Sequence, residues 1–149
     1  MPIPDIFGYQ PPNDDTRPRH ARVDAAVDAC VKVFSETLDD GIDPYDVLTV
    51  SGAPKATGAQ FAAITDACRA LVESMEDVCP PSADLSASIR CVRLARMFAN
   101  NALVAPGGRL DSVEDRLQAL LQLKQARFQA KACIALATPT ELLLCPMLP

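Results

Sequence analysis

The sequence predicts an all-α fold: an antiparallel helical hairpin or bundle of about four helices, preceded by an extended, Pro-rich N-terminal arm. The chain has 149 residues, which suits a single domain. Apolar residues make up 49% of it but aromatic residues only 5%, a composition that favours packed helices over a β-sandwich. Apolar side chains also recur at the three- and four-residue spacing of amphipathic helices in four segments.

Residues 1–18 form the predicted arm. Five prolines fix φ and remove N–H donors there, so we expect extended structure rather than a helix. Ile6, Phe7 and Tyr9 surround Gly8 and are expected to pack against another part of the protein. Two interpretations of Tyr9 stay open: its ring stacks on a nucleobase, or it anchors the arm to the core.

The first two helices are predicted from Arg19 to Asp39 and from Ala59 to Val78, with residues 40–58 as a long connector or functional loop. The second helix has apolar positions separated alternately by three and four residues, the a/d pattern of helices that pack nearly antiparallel. Its positions are Phe61, Ile64, Cys68, Leu71, Met75 and Val78, and those of the first helix are Val23, Ala26, Val27, Cys30, Val33, Phe34 and Leu38.

The third helix is predicted from a cap at Ser82 or Asp84 to Val104, and the short turn before it predicts an antiparallel hairpin with the second helix. Its apolar sector is wide, which predicts a central position in the bundle. The fourth helix is predicted from a capping box at residues 111–114 to about residue 137. Its expected core positions are Val113, Leu117, Leu120, Leu121, Phe128 and Ile134. The apolar tail, residues 142–149, is expected to dock onto the fold or onto a neighbouring subunit.

Charge and hydropathy exclude several classes of partner. The net charge of −5 argues against a protein that binds DNA or RNA polymers, because such proteins need a basic surface. No apolar run reaches the roughly 18 residues of a membrane span, and Met1 to Phe7 lacks the features of a secretory signal. A cytoplasmic location without a membrane partner is therefore expected.

The residues of catalytic and metal chemistry are sparse. The six cysteines form no C-x-x-C pair, and we expect them to be small buried hydrophobic residues in a reducing compartment. His20 is the only histidine, and it is expected to be exposed at the start of the first helix, without a partner for general-base work. The sequence therefore predicts no catalytic residue, no metal site and no cofactor.

Arginines on the third helix are the strongest candidate binding feature. Arg93, Arg96 and Asn100 share one helical face, and Arg90 lies one turn before Arg93. Two interpretations stay open for this face: ion pairs with acidic residues within or between subunits, or recognition of a phosphate-bearing ligand.

Two segments resemble the phage anti-CBASS proteins, cyclic-nucleotide sponges that share a helical hairpin domain with the anti-Thoeris sponges. The first segment is the arm, Ile6-Phe7-Gly8-Tyr9-Gln10-Pro11, followed by a polar stretch and an amphipathic helix. The second is the helix of residues 86–104, with Arg90, Arg93, Met97, Phe98, Ala99, Ala102 and Leu103 in matching places. The resemblance covers roughly residues 5–38 and 60–105, so residues 107–149 appear as an addition. Asp24 stands where these sponges often have a Lys, and Arg19, Arg22 or Lys32 are its candidate substitutes.

The resemblance implies a non-enzymatic homo-oligomer that sequesters cyclic di- or trinucleotides, the signals of bacterial antiphage defence, in the cytoplasm of the infected cell. Its implied ligand-binding residues are Tyr9, Arg19, Arg22, Arg90 and Arg93. The alternative is a helical protein–protein adaptor or inhibitor without a small-molecule ligand. A phosphodiesterase for the same signals is the third reading, and it needs a metal or a nucleophile–base pair that the sequence does not supply.

Overall fold

The computed structural model describes residues 16–39, 58–104 and 109–147, and these residues form helices without any strand. The helices are α1 (Arg17–Asp39), α2 (Gly58–Val78), α3 (Ala83–Val104), α4 (Arg109–Leu136) and the short α5 (Pro139–Leu144). The predicted all-α fold is confirmed, and the bounds of α1, α2 and α3 agree closely with the sequence. Residues 1–15 of the predicted arm, which include Tyr9, and residues 40–57 of the predicted connector lie outside the described residues. The arm was expected to reach residue 18, but α1 begins at Arg17, so Pro18 lies in the first helical turn instead.

One hydrophobic core joins the four long helices. α1 contributes Val23, Val27, Cys30, Phe34 and Leu38 to it. The predicted a/d seam of α2 is confirmed, since Ile64, Cys68, Leu71, Met75 and Val78 are buried. α4 supplies Leu123 and Ile134 to the same core, so the segment that looked like an addition in sequence is part of the central packing.

The α3–α4 contact depends on small side chains. Ala95 and Ala99 of α3 and Ala119, Ala126 and Ala130 of α4 are completely buried, which lets the two helices approach closely. The Ser88 hydroxyl, also fully buried, donates a hydrogen bond to the Ala126 carbonyl oxygen at 2.7 Å. A polar side chain therefore joins α3 to α4 within an apolar interface.

The predicted core face of α4 is wrong at four of its six positions, while Ile134 is buried and Leu120 packs against the core as expected. Val113, Leu117, Leu121 and Phe128 are exposed, between 39% and 65% of their surface. The buried face consists of residues separated alternately by four and three positions, namely Ala119, Leu123, Ala126, Ala130 and Cys133. The sequence pattern is ambiguous because α4 is apolar on two faces, and the smaller alanine face is the one that fits against α3.

The start of α4 and the short helix that follows it differ from the prediction. α4 begins at Arg109, before the capping box expected at residues 111–114. The short α5, which was not predicted, has its own capping box: Thr138 Oγ1 accepts from Glu141 N at 3.1 Å, and Thr138 N donates to Glu141 Oε1 at 3.2 Å. The T-x-x-E signal of this box is present in the sequence.

The apolar tail docks onto the fold through α1. Arg19 is 7% exposed, and its guanidinium donates to the carbonyl oxygens of Val78 at 2.9 Å, Leu142 at 3.2 Å and Cys145 at 2.7 Å. Met147 packs against the core. One buried cation thus connects the start of α1 to the end of α2 and to the tail. No helix in the described ranges is long and apolar enough to cross a membrane.

Candidate functional site

An open cavity of about 340 Å³ lies between α2 and α3 and is the candidate site. We call it the α2–α3 cavity. α2 contributes residues one and two turns apart along the side that flanks its buried seam, and α3 does the same from the opposite wall. The lining residues are Thr65, Cys68, Arg69, Val72, Glu73, Glu76, Ile89, Val92, Arg93 and Arg96.

The cavity is more positive than the chain as a whole. Arg69, Arg93 and Arg96 line it together with Glu73 and Glu76, which leaves one net positive charge, whereas the whole chain carries −5. Among the residues that the structure describes, Arg93 and Arg96 form no salt bridge. Arg69 lies 3.9 Å from Asp66, but both side chains are about two-thirds exposed, so the pair is weak.

Apolar side chains form the inner part of the same cavity. Val92 and Cys68 are buried there, and Val72 and Ile89 are half-buried and pack against the core. Guanidinium groups hold carboxylates and phosphates through paired hydrogen bonds, while an apolar surface accepts the flat face of a ring. The arrangement therefore suits a ligand that carries both anionic groups and an apolar or aromatic part.

Of the predicted ligand-binding residues, Arg93 lies in the cavity, and Arg96 of the same arginine face lies beside it. Arg90 is exposed on α3 but does not line the cavity. The predicted sharing of a helical face by Arg93 and Arg96 is therefore confirmed. Both arginines line the open cavity, and neither forms an ion pair with another described residue.

The two predicted residues on α1 lie elsewhere. Arg19 donates its hydrogen bonds to main-chain carbonyls and is buried, so its guanidinium is used to hold the fold. Arg22 lies 3.5 Å from Asp77 in a partly exposed ion pair at the end of α2. Neither residue lines the α2–α3 cavity.

Asp24, which stands where the sponges often have a Lys, and Lys32, one of its candidate substitutes, both form ion pairs. Asp24 accepts a hydrogen bond from Lys131 Nζ at 2.9 Å and lies 3.7 Å from Arg127 Nε, so it ties α1 to α4. Lys32 lies 4.0 Å from Glu36 on the same helix. The face of α1 around Asp24 therefore contacts α4 rather than an open cavity.

Arg69 lines the cavity but was not among the predicted site residues. It lies on α2, far along the chain from the arginine face of α3, and only the antiparallel hairpin brings the two together. One signal was present: residues 65, 69, 72 and 76 flank the a/d seam of α2 at helical spacing, and so they line one side of that helix.

His20 is a correction to the expected exposure. It is only 6% exposed, and neither ring nitrogen has a hydrogen-bond partner among the described residues. Burial, with a smaller contribution from Lys131, lowers its pKa from the usual value of 6.5. The ring is therefore neutral near pH 7 and acts as a core side chain.

Within the described ranges there is no group of three or more His, Cys, Asp or Glu side chains arranged to hold a metal ion. No protein-family model matches the chain, and no curated protein and no solved structure is detectably similar to it.

Proposed function

We propose that the protein binds and sequesters a cyclic di- or trinucleotide in the α2–α3 cavity, without cleaving it. The observation that supports this most directly is the convergence of Arg69, Arg93 and Arg96 on one open cavity with an apolar interior. Cyclic nucleotides combine phosphates, which pair with guanidinium groups, with flat bases, which lie against apolar surface.

The size of the cavity supports a shared or partly covered site. A volume of about 340 Å³ is near the lower end of the roughly 300–1,000 Å³ of ligand pockets. A cyclic dinucleotide would therefore extend beyond the walls formed by α2 and α3. We expect a second copy of the chain, or the arm that carries Tyr9, to cover the remainder, which agrees with the proposed homo-oligomer in the host cytoplasm.

The test is a thermal-shift panel of cyclic dinucleotides, cyclic trinucleotides and cyclic ADP-ribose isomers. A ligand present at a hundredfold its Kd adds about 2.7 kcal/mol of apparent stability, which is readily detected in a small domain. A shift confined to one class would support the proposal and identify the ligand. A flat panel with a folded protein would contradict it.

Variants locate the site. Arg93→Ala and Arg96→Ala are each expected to weaken binding about tenfold or more, because hydrogen bonds to charged groups contribute roughly 1.5–3 kcal/mol. Arg90→Ala is the matched control, since it removes the same charge from the same helix outside the cavity. Equal losses for Arg90→Ala and Arg93→Ala would instead indicate a diffuse electrostatic effect.

The fate of the ligand separates sequestration from hydrolysis. The bound nucleotide is released by heating and identified by mass spectrometry after prolonged incubation with the protein. Recovery of intact nucleotide is expected for a sponge. Recovery of a linear product would contradict the proposal and favour a phosphodiesterase.

The outer face of α4 favours a second candidate function, a helical adaptor or inhibitor that binds another protein. Leu117, Leu121 and Phe128 are more than half exposed on the side of α4 away from the core. Exposed apolar patches of this kind often mark protein contacts. An adaptor would show no thermal shift with nucleotides and would be unaffected by Tyr9→Ala combined with Arg93→Ala, whereas a sponge would stay folded and lose its ligand.

A further inference from the structure

A stripe of exposed residues runs along the outer side of α4, opposite the alanines that pack against α3. Leu117, Leu121 and Phe128 are 61%, 54% and 65% exposed, and Glu114 and Lys124 are exposed on the same side. We call these five residues the α4 stripe. They are separated by three, four, three and four positions, which is the spacing of helices that pack along a common seam.

The α4 stripe carries two opposite charges that have no partner within the described part of the chain. Neither Glu114 nor Lys124 forms a salt bridge with another described residue. The two residues are ten positions apart on one helix. A rise of 1.5 Å per residue separates them by about 15 Å, so they do not pair with each other in one copy.

The order of residues in the stripe is self-complementary when two copies of α4 run antiparallel. With Leu117 of each copy beside Leu121 of the other, the leucines form two apolar layers at the centre. Glu114 precedes Leu117 by three positions and Lys124 follows Leu121 by three, so each Glu114 lies beside Lys124 of the second copy. Every contact occurs twice, as two-fold symmetry requires.

The opposite orientation is unfavourable for the same sequence. In a parallel pair in register, Glu114 would lie beside Glu114 of the second copy, and Lys124 beside Lys124. Like charges brought together at an interface oppose association, whereas opposite charges steer it and fix its register. The charges of the α4 stripe therefore favour one orientation and one register.

We propose that the α4 stripe is the contact surface for a second copy of this chain, in an antiparallel dimer with two-fold symmetry. The two central leucine layers exclude water, the Glu114–Lys124 pairs flank them, and Phe128 extends the apolar contact towards the first turn of the other α4. Charge complementarity favours a second copy over an unrelated protein, because one sequence supplies both members of each pair. The inference identifies a surface for the proposed homo-oligomer and does not depend on nucleotide binding.

The first experiment uses the unsubstituted full-length protein without nucleotide. Sedimentation equilibrium at micromolar concentration is expected to show a dimer. A carbodiimide then joins carboxylates to amines that are already in contact, and mass spectrometry maps the linked peptides. A Glu114–Lys124 link is expected, and the roughly 15 Å between the two residues within one helix means that such a link joins two copies.

Charge-reversal variants test the register. Lys124→Glu and Glu114→Lys should each raise the Kd of the dimer about tenfold or more, because each places like charges together. An equimolar mixture of the two variants should recover association, as should one chain that carries both substitutions. Lys32→Glu is the matched control, since it makes the same change of charge at a side chain of α1 that is 76% exposed. Circular dichroism verifies that each variant is folded.

Three results would overturn the inference. One is a monomer at every concentration measured. Another is a dimer that Lys124→Glu weakens no more than Lys32→Glu does, which would place the contact elsewhere. The third is a mixture of the two charge-reversal variants that stays monomeric. A monomer that still gives a thermal shift with a cyclic nucleotide would overturn the dimer and leave the proposed function standing, so the two failures are distinguishable.

Discussion

The start of α1 and the outer side of α3 both carry arginines, but the protein uses them differently. Arg19 is buried and donates to three main-chain carbonyls from two separate segments. Arg93 and Arg96 are exposed and border an open cavity, and they form no salt bridge with any other described residue. The difference shows that a guanidinium holds the fold where carbonyls surround it, and that it remains accessible to a ligand where the facing surface is open.

Loss of Arg19 should have the largest effect. Arg19→Ala removes hydrogen bonds from a charged donor and leaves the carbonyls of Val78, Leu142 and Cys145 without this donor. The free energy of unfolding should fall by roughly 3 kcal/mol. Chemical denaturation measures it. Arg19→Lys is the control, because one ammonium cannot reach all three carbonyls and should recover only part of the loss. A loss below about 0.5 kcal/mol for the alanine variant would show that the two regions do not differ.

His20, next to Arg19, makes the stability of this region dependent on pH. Burial lowers the pKa of the folded state below the usual 6.5, so protonation favours the unfolded chain. The neutral His20 ring makes its full contribution to the free energy of unfolding above pH 6.5. This contribution is lost as the pH falls through the pKa of the folded state. As the pH is lowered from 6.5, the denaturant midpoint of the unsubstituted protein should fall. The midpoint of His20→Gln should change less over the same pH values. A midpoint that rises on acidification would contradict the burial of a neutral ring.

Loss of Arg22 should have an effect on stability between that of losing Arg19 and that of losing the arginines of α3. Its ion pair with Asp77 is partly exposed, with 39% and 63% of the two side chains accessible. Because solvent screens such a pair, Arg22→Ala should lower the free energy of unfolding by less than about 1 kcal/mol. Thermal unfolding at low and high salt measures it, and Asp77→Asn should give a similar, non-additive loss. Full additivity of the two variants would show that the ion pair contributes nothing.

The double variant Arg93→Ala with Arg96→Ala should have the smallest effect on stability. Neither side chain has a salt-bridge partner in the described ranges, so the change in the free energy of unfolding should stay within about 0.5 kcal/mol. Chemical denaturation without ligand is the measurement. A larger loss would mean that these arginines, like Arg19, hold the fold, and the cavity would then lose its main support as a binding site.

Local pattern predicted most of the helices but not every face. The a/d seam of α2 was readable because large apolar residues occur there on one side only. On α4 the same reasoning selected Leu117, Leu121 and Phe128, and the structure buries the alanine side instead. Periodicity indicates which faces of a helix are apolar. Where two faces are apolar, it does not predict which one packs closely against a neighbouring helix.

Only the part of the candidate site that lies on one helix could be predicted from the sequence. Arg93 and Arg96 are close along one helix, so their common face follows from 3.6 residues per turn. Arg69 and Cys68 join them only through the packing of α2 against α3. In the sequence, Arg19 cannot be told from the arginines of α3, because it too is a helical arginine. It is buried in the structure because α5 and the tail, more than a hundred residues away along the chain, contact it.

The sequence by itself determined the all-α class, the approximate helix bounds and the hairpin of α2 and α3, because spacing, prolines and caps act over a few residues. The tertiary structure alone decided which face of α4 is buried, that His20 is neutral and enclosed, and that Arg19 ties α1 to the tail. These outcomes depend on contacts between residues distant in the chain, and local propensity carries no information about such contacts.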